Sequence, residues 1–343
     1  MLIAQVVQTI DLLPPGEKAF LTGWSIDSRG DYLYIPIPNT NRIRAFRLID
    51  HDRLEEDTPE WHTDFVPVCL KVIWDERARR EYLFVADKGG EAYYPETSKF
   101  LGRHFGKWVP PLPQPPLLKT ALKAGAEIKI WQFASFAPEG EQTKVFALGG
   151  CNDREIGGFV QIFDLTNEGA TIGATIPKID EAPYDVAFHD GRFFIASGRA
   201  GHIEVRLTHQ PYDLKGKITS SVRSFTPTKL AVATRRRQLW AASYGTLFWS
   251  DLDSGQVKGS VEVAPGVDCI GDFALADDES TIYATCIYSS RLCEVDLGTL
   301  YVREVPMIGG SLERPCSMIA LDSKIIVLGH TNGKLWVIKL TAT

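Results

Sequence analysis

The stretch PYDVAFHDGRFFIASGRAGHIEVRLTH, Pro183 to His209, decides the fold. It reads as an apolar run, a turn at Asp190-Gly191, a second apolar run, a Gly-containing turn and an alternating strand. The same cadence returns as TKLAVATRRRQLWAASYGTLFWSDLDSG from Thr228, IGDFALADDESTIYATCIYSSRLCEVDLGTL from Ile270, and PCSMIALDSKIIVLGHTNGKLWVIKL from Pro315. The period is about 40 residues, the length of one supersecondary unit. Intervening segments such as GQVKGSVEVAPG supply a polar outer strand.

The N-terminal half carries three less regular copies, beginning at Gly23, Val68 and Trp131. The last unit closes on its third strand at Leu340, whereas AQVVQTIDL near the start of the chain is a strand without a unit. A ring whose first strand completes its last blade resolves both and leaves no open edge between them. The expected fold is all-β: a seven-bladed β-propeller, residues 1–343 forming one domain.

Hydrophobic residues at 44% and charged residues at 23% fit a globular chain with a large core. The net charge of −6 argues against nucleic acid as a general partner. The N-terminus lacks a cationic segment and meets Asp11 before any apolar run reaches spanning length, so neither a membrane nor secretion is expected. The six cysteines show no CxxC pair and no zinc-ligand spacing. A cytoplasmic home, with the thiols as small buried hydrophobes, is the expectation.

The strand DYLYIPIPNTNRIRAFRL, Asp31 to Leu48, resembles the repeat of the YVTN and lactonase-type propellers. FWSDL and LWVIKL are similar to WD-repeat strands, although the Gly-His and Trp-Asp marks of regular WD repeats are absent. The resemblance covers most of the chain at the level of strand grammar. It implies lactonase, cyclase or lyase chemistry without a redox cofactor, or templating of a cyclisation in natural-product biosynthesis. No motif matches closely enough to carry catalytic residues across.

One turn departs from the repeat. Between Gly90 and Ala126, within the second blade, lies a long insertion that includes five prolines between Pro110 and Pro116. Tyr93, Tyr94, Phe100, Phe105 and Trp108 interleave there with Lys99, Arg103, His104 and Lys107. A polyproline strut holding an aromatic lid over the channel mouth is the functional reading. The alternatives are a packed crossover with a short helix over Leu117 to Ala124, and an exposed PxxP ligand.

Aligning the innermost strands without gaps places Gly23, Lys71, Phe133, Asp185, Lys229, Asp272 and Met318 at one level. A carboxylate and a lysine there could form an acid/base pair, or a structural ion-pair ring. Candidate catalytic residues are therefore Asp185, Asp272, Lys71 and Lys229, with His62 and His330 from mouth loops. Tyr184, Arg199, Tyr244, Tyr288 and Arg314 join Tyr93, Tyr94, Arg103, His104 and Trp108 as candidate substrate-binding residues. No dinucleotide fingerprint, P-loop, nucleophile elbow or HExxH occurs, and no cofactor or metal is expected. The first functional reading is a metal-free enzyme acting on a small, hydrophobic, oxygenated molecule. The second is a non-catalytic scaffold that binds a protein or peptide on the top face.

Overall fold

The computed structural model describes residues 2–13, 27–29, 32–49, 52–56, 61–63, 65–75, 77, 79–87, 92–93, 128–137, 142–151, 157–166, 169–179, 182–198, 200–221, 225–321, 324–329 and 333–342. The sheets among them are antiparallel meanders in which chain order equals spatial order, apart from the closing strand with its parallel edge and Trp61–His62, which pairs back onto Arg42–Ile49. Sheet I comprises Tyr32–Ile37, Arg42–Ile49 and Arg53–Glu56, preceded by Asp27–Arg29. Sheet II holds Pro67–Asp75, Arg80–Asp87 and Ala92–Tyr93. Sheet III runs from Ile128–Phe136 through Lys144–Cys151 and Gly158–Thr166 to Gly169–Ile179. Sheet IV takes Pro183–His189, Arg192–Ser197, His202–Leu207 and Leu214–Thr219; sheet V takes Lys229–Ala233, Gln238–Ser243, Thr246–Asp251 and Val257–Glu262. Sheet VI takes Ile270–Leu275, Thr281–Cys286, Arg291–Asp296 and Val302–Glu304; sheet VII begins with Pro315–Leu321, Lys324–Gly329 and Lys334–Ala342.

The molecule is a β-propeller, with one 3₁₀ turn, Pro38–Thr40, as the helical element among the described residues. The expectation of seven complete blades is corrected: among the described residues six sheets have four or more strands. Sheet II has three strands, and its last is two residues long. The aromatic and proline-rich part of the 90–126 insertion, with the helix expected over Leu117 to Ala124, lies outside the described residues.

Alternation along the strands gives every sheet two apolar faces, and each face is buried against a neighbouring sheet. Tyr34, Ile43 and Ala45 of sheet I pack with Leu70, Val72 and Leu83 of sheet II. Phe84 continues to Phe133 and Phe159 of sheet III. Phe146 and Ile162 meet Phe193 and Ile195 of sheet IV. Phe194 and Ile203 meet Leu230 and Phe248 of sheet V, and Trp240 and Leu247 meet Phe273 and Ile282 of sheet VI. Leu292 then packs with Met318 and Trp336 of sheet VII. The exposed hairpins opposite the mouth are held by aspartates that accept from the chain ahead: Asp251 from Asp253 and Ser254, and Asp296 from Gly298 and Thr299.

Closure uses the first strand of the chain, as the sequence implied. Leu2–Asp11 pairs antiparallel with Lys334–Ala342, and Met307–Ile308 adds a parallel edge. Leu12, Leu335 and Val337 then join Leu33, Ile35 and Phe46 of sheet I in one core. Polar contacts fix this seam. The Gln8 side-chain amide donates to the Leu54 carbonyl at 2.9 Å and accepts from the Leu54 N–H at 2.7 Å. Arg44, held by Glu56, donates to the Asp11 carbonyl at 2.9 Å. Because Gln8 satisfies two backbone groups at once, Gln8→Ala is expected to cost about 1–3 kcal/mol. Gln8→Glu, which keeps only the acceptor, should cost less; urea unfolding of both variants checks the order.

Candidate functional site

The mouth is the end of the ring where inner strands begin and second strands finish. Its geometry depends on a bulge near the start of most inner strands. Register shifts fall at Val68, Trp131, Tyr184 and Cys316, and at Gly271-Asp272 in sheet VI. The inner strands of sheets VI and VII come so close there that a Cβ on Gly271 would meet the Pro315 carbonyl. After each bulge the ladder resumes with Cys69 opposite Ala86, Gln132 opposite Leu148, Asp185 opposite Ala196 and Ser317 opposite Leu328. Lys229, without a bulge, lies opposite Ala242.

The structural level is therefore Cys69, Gln132, Asp185, Lys229, Asp272 and Ser317. Asp185, Lys229 and Asp272 stand where the sequence placed them. Lys71 lies two residues further along, opposite Phe84, while Phe133 and Met318 lie one residue further, on the other face. No bulge lies between these residues and the far ends of their strands, so the slip arises at the far end, where the alignment is anchored: two residues in sheet II and one in sheets III and VII. Gly23 lies outside the described residues.

The three charged residues stitch successive inner strands together. Asp185 accepts from the Val186 N–H at 2.9 Å and from the Leu230 N–H of the next sheet at 2.8 Å. Asp272 repeats the relation, accepting from Phe273 at 2.8 Å and from Met318 of the next sheet at 3.0 Å. Lys229 occupies the interface between them, its Nζ 3.3 Å from the Asp272 carboxylate. Both carboxylates are 5% exposed. Burial pushes the Asp185 carboxyl above its ordinary pKa, against the pull of Lys229 and the two N–H donors. In each carboxylate both oxygens accept a backbone N–H, one from its own strand and one from the next sheet, which holds the strands in place.

Around this girdle the rim presents aromatic side chains. Tyr184 occupies the bulge of sheet IV, and its ring lies 6.4 Å from that of Trp131, the bulge residue of sheet III. The Trp131 indole N–H donates to the Pro183 carbonyl, and Gly198 leaves room for the Tyr184 ring. Tyr244 sits in the two-residue turn of sheet V at φ 51° and is 61% exposed. Its carbonyl accepts the Ile270 N–H of the next sheet at 2.8 Å. Tyr288, 60% exposed in the corresponding turn of sheet VI, carries the Arg314 guanidinium 6.0 Å from its ring centroid.

Asp268 anchors that last turn. Its carboxylate accepts from the Tyr288 N–H at 2.8 Å, the Ser289 N–H at 3.3 Å, the Ser289 hydroxyl and the Cys269 N–H. Burial acts to raise its pKa, but the Ser289 hydroxyl and the N–H donors outweigh it and hold the group below its ordinary value. The sequence reading missed Asp268 and Trp131. Aligning on the bulges would have matched Trp131 to Tyr184, whereas nothing local marks Asp268 as an anchor.

Two further candidates lie on other sheets. His62 lies in a two-residue strand opposite Arg42 at the edge of sheet I, and Tyr93 pairs with Val85 in sheet II. Tyr94, Arg103, His104, Trp108, Arg199 and His330 lie outside the described residues. Among the described residues, two concavities lie on the outer rim. One of about 430 Å³ is lined by Glu294, Asp296, Thr299, Tyr301 and Arg303. Another of about 560 Å³ lies between the outer strands of sheets IV and V, near Lys217, Thr219, Phe248 and Lys258. Neither reaches Asp185, Lys229 or Asp272.

The crystal structure of Saccharomyces cerevisiae Sqt1, a WD40 β-propeller protein, is similar to this chain with a TM-score of 0.64. The identity is 8%, and the match spans 98% of this chain and 99% of that one. No protein-family model matches the chain, and no curated protein does. At this identity the likeness establishes the fold and leaves function to the chain's own residues.

Two predictions separate the girdle from the rim. Asp272→Asn places an amide N–H₂ where two backbone donors and Lys229 converge, and should cost about 1–3 kcal/mol. Asp185→Asn should cost less, because it also removes a charge that burial disfavours; paired urea titrations decide the order. For Asp268 the linkage has the opposite sign to that of Asp185. Its folded pKa lies below the unfolded value near 3.8, so its stabilisation is complete above that pH and is lost as pH falls through the lower folded value. The stability gap between the native chain and Asp268→Asn should be open at neutral pH and close in acid, as followed by urea midpoints across pH.

Proposed function

We propose that this chain is a non-catalytic β-propeller scaffold that docks a protein or peptide on the mouth face, through Tyr184, Tyr244, Tyr288 and Arg314. One observation carries this reading: tyrosines stand exposed at the same end of three successive sheets, on backbone that the neighbouring sheets hold fixed. Aromatic and arginine side chains of this kind dominate the energy of protein interfaces. Each would present a rigid, amphipathic surface that loses little rotamer entropy on contact.

The conformation of Tyr244 adds to the case. A non-glycine residue at φ 51° is strained, and such strain collects at functional positions. Glycine would relieve it. A tyrosine there is poorly explained by stability and well explained by what its ring touches. The small-molecule reading finds less support, because the two buried carboxylates are engaged with backbone and line neither rim concavity. The three-stranded sheet II, which stands between sheets I and III, completes a sevenfold ring in this reading.

Tyr244→Gly is expected to leave the unfolding midpoint unchanged or raise it, by up to about 1 kcal/mol. Combined with Tyr288→Ala it should weaken docking at least tenfold, given about 2 kcal/mol for one interface hot spot. The check is quantitative crosslinking of the native chain, of this double variant and of Tyr301→Ala, which alters an exposed ring at the other end of sheet VI. Equal loss of partners in the two variants would reject the mouth face. Turnover of a small molecule that Asp272→Asn abolishes without a matching loss of stability would restore the enzyme.

A further inference from the structure

Sheet VI contains a feature that neither the girdle nor the rim requires. Cys286 ends the second strand, and Cys293 lies two residues into the third, with the Tyr288 turn between them. Register pairs Cys286 with Arg291 and Cys293 with Ala284, so the thiols are diagonal neighbours on one face. Their sulfurs are 3.7 Å apart, within hydrogen-bond reach. Both are buried among Trp240, Leu247, Val263 and Val295. All six cysteines of the chain are in the thiol form.

We propose that Cys286 and Cys293 form a reversible thiol-oxidation site, closing to a disulfide with hydrogen peroxide as the oxidant. The sulfurs already lean together, and closure shortens their separation to about 2.05 Å. Diagonal neighbours in an antiparallel pair stand about 7–8 Å apart at Cα, beyond the usual disulfide span. Bridging them therefore shifts the two strands and strains the bond, which makes it easy to reduce. The shift falls on the hairpin that carries Tyr288.

The environment divides the labour between the two sulfurs. The hydrogen bond with Cys286, joined by the charge of Arg291, holds the Cys293 thiol below its ordinary pKa against the effect of burial. The same hydrogen bond and burial push Cys286 up. Cys293 is thus the attacking thiolate and Cys286 the resolving thiol. The Cys293 sulfur attacks one peroxide oxygen; an S–O bond forms, the O–O bond breaks, and the departing hydroxide takes a proton to become water. The Cys286 sulfur then attacks the Cys293 sulfenic acid; the S–S bond forms, the S–O bond breaks, and hydroxide leaves with the Cys286 proton as a second water. Two thiols are oxidised and one peroxide is reduced.

The test uses the full chain carrying Cys269→Ser, because Cys269 and Cys286 share the tryptic peptide 259–291 while Cys293 lies in 292–303. After peroxide treatment under native conditions, alkylation, denaturation and non-reducing digestion, the expected product is the 259–291 to 292–303 peptide pair, two hydrogens lighter than the separate peptides. Dithiothreitol should restore both thiols. Cys69, fully buried in the core between sheets II and III, serves as the internal monitor of unfolding and should remain unalkylated during the native steps. Cys293→Ser should abolish the linked pair and leave Cys286 reduced. Three results would overturn the proposal: both thiols persisting through the treatment, a linked pair that forms only when Cys69 becomes alkylated, or sulfinic acid at Cys293 with no linked peptide.

Discussion

No sheet of this chain can bury both of its faces alone. Each has five strands or fewer among the described residues, and alternation makes both faces apolar, so each sheet needs a neighbour on either side. Phe146 and Phe193, or Trp240 and Phe273, belong to different sheets yet share one core. The ring is the arrangement in which no sheet is left uncovered. Its last seam brings together Leu12, Leu335 and Phe46 from the two ends of the sequence and from sheet I.

Apolar packing holds sheets face to face but does not fix how far one slides along the next. The polar contacts do that at both ends of the ring. At the mouth, Asp185 and Asp272 each accept one N–H from their own strand and one from the next, an interaction whose geometry tolerates little slip. At the opposite end the turn Arg235 to Arg237 docks on sheet VI, where Glu279 accepts from the Arg235 N–H at 2.8 Å and Arg236 donates to the Leu297 carbonyl at 3.1 Å. Three consecutive arginines could suggest an anion site, yet two of the guanidinium groups are spent on Leu297 and Asp253.

The sequence carried the ring and its closure because both rest on periodicity: apolar alternation within strands, Gly and Asp at turns, and a spare strand at the start. It carried the charged girdle only in sheets IV to VI. Lys71, Phe133 and Met318 were displaced, by two residues, one and one, because the apolar residues at the far ends of those strands fix no unique register to align on. The role of the girdle was less legible still. A carboxylate facing a lysine reads alike as acid/base machinery and as structure; the N–H groups of Leu230 and Met318 distinguish them, and backbone donors leave no mark in side-chain identity.

The rim follows a different logic from the core. Every turn that projects a tyrosine is tied to the adjacent sheet through main-chain groups: the Tyr244 carbonyl to Ile270, the Tyr288 N–H to Asp268, and the Arg314 N–H to the Ser290 hydroxyl at 3.1 Å. The backbone of these turns is thereby held independently of the side chains it projects. A surface so built is suited to recognition, since its backbone is preorganised and ordering it on contact costs little. The dithiol beneath the Tyr288 turn acts on that same backbone. It could alter a docking face by moving the support of a tyrosine, with no group of its own exposed.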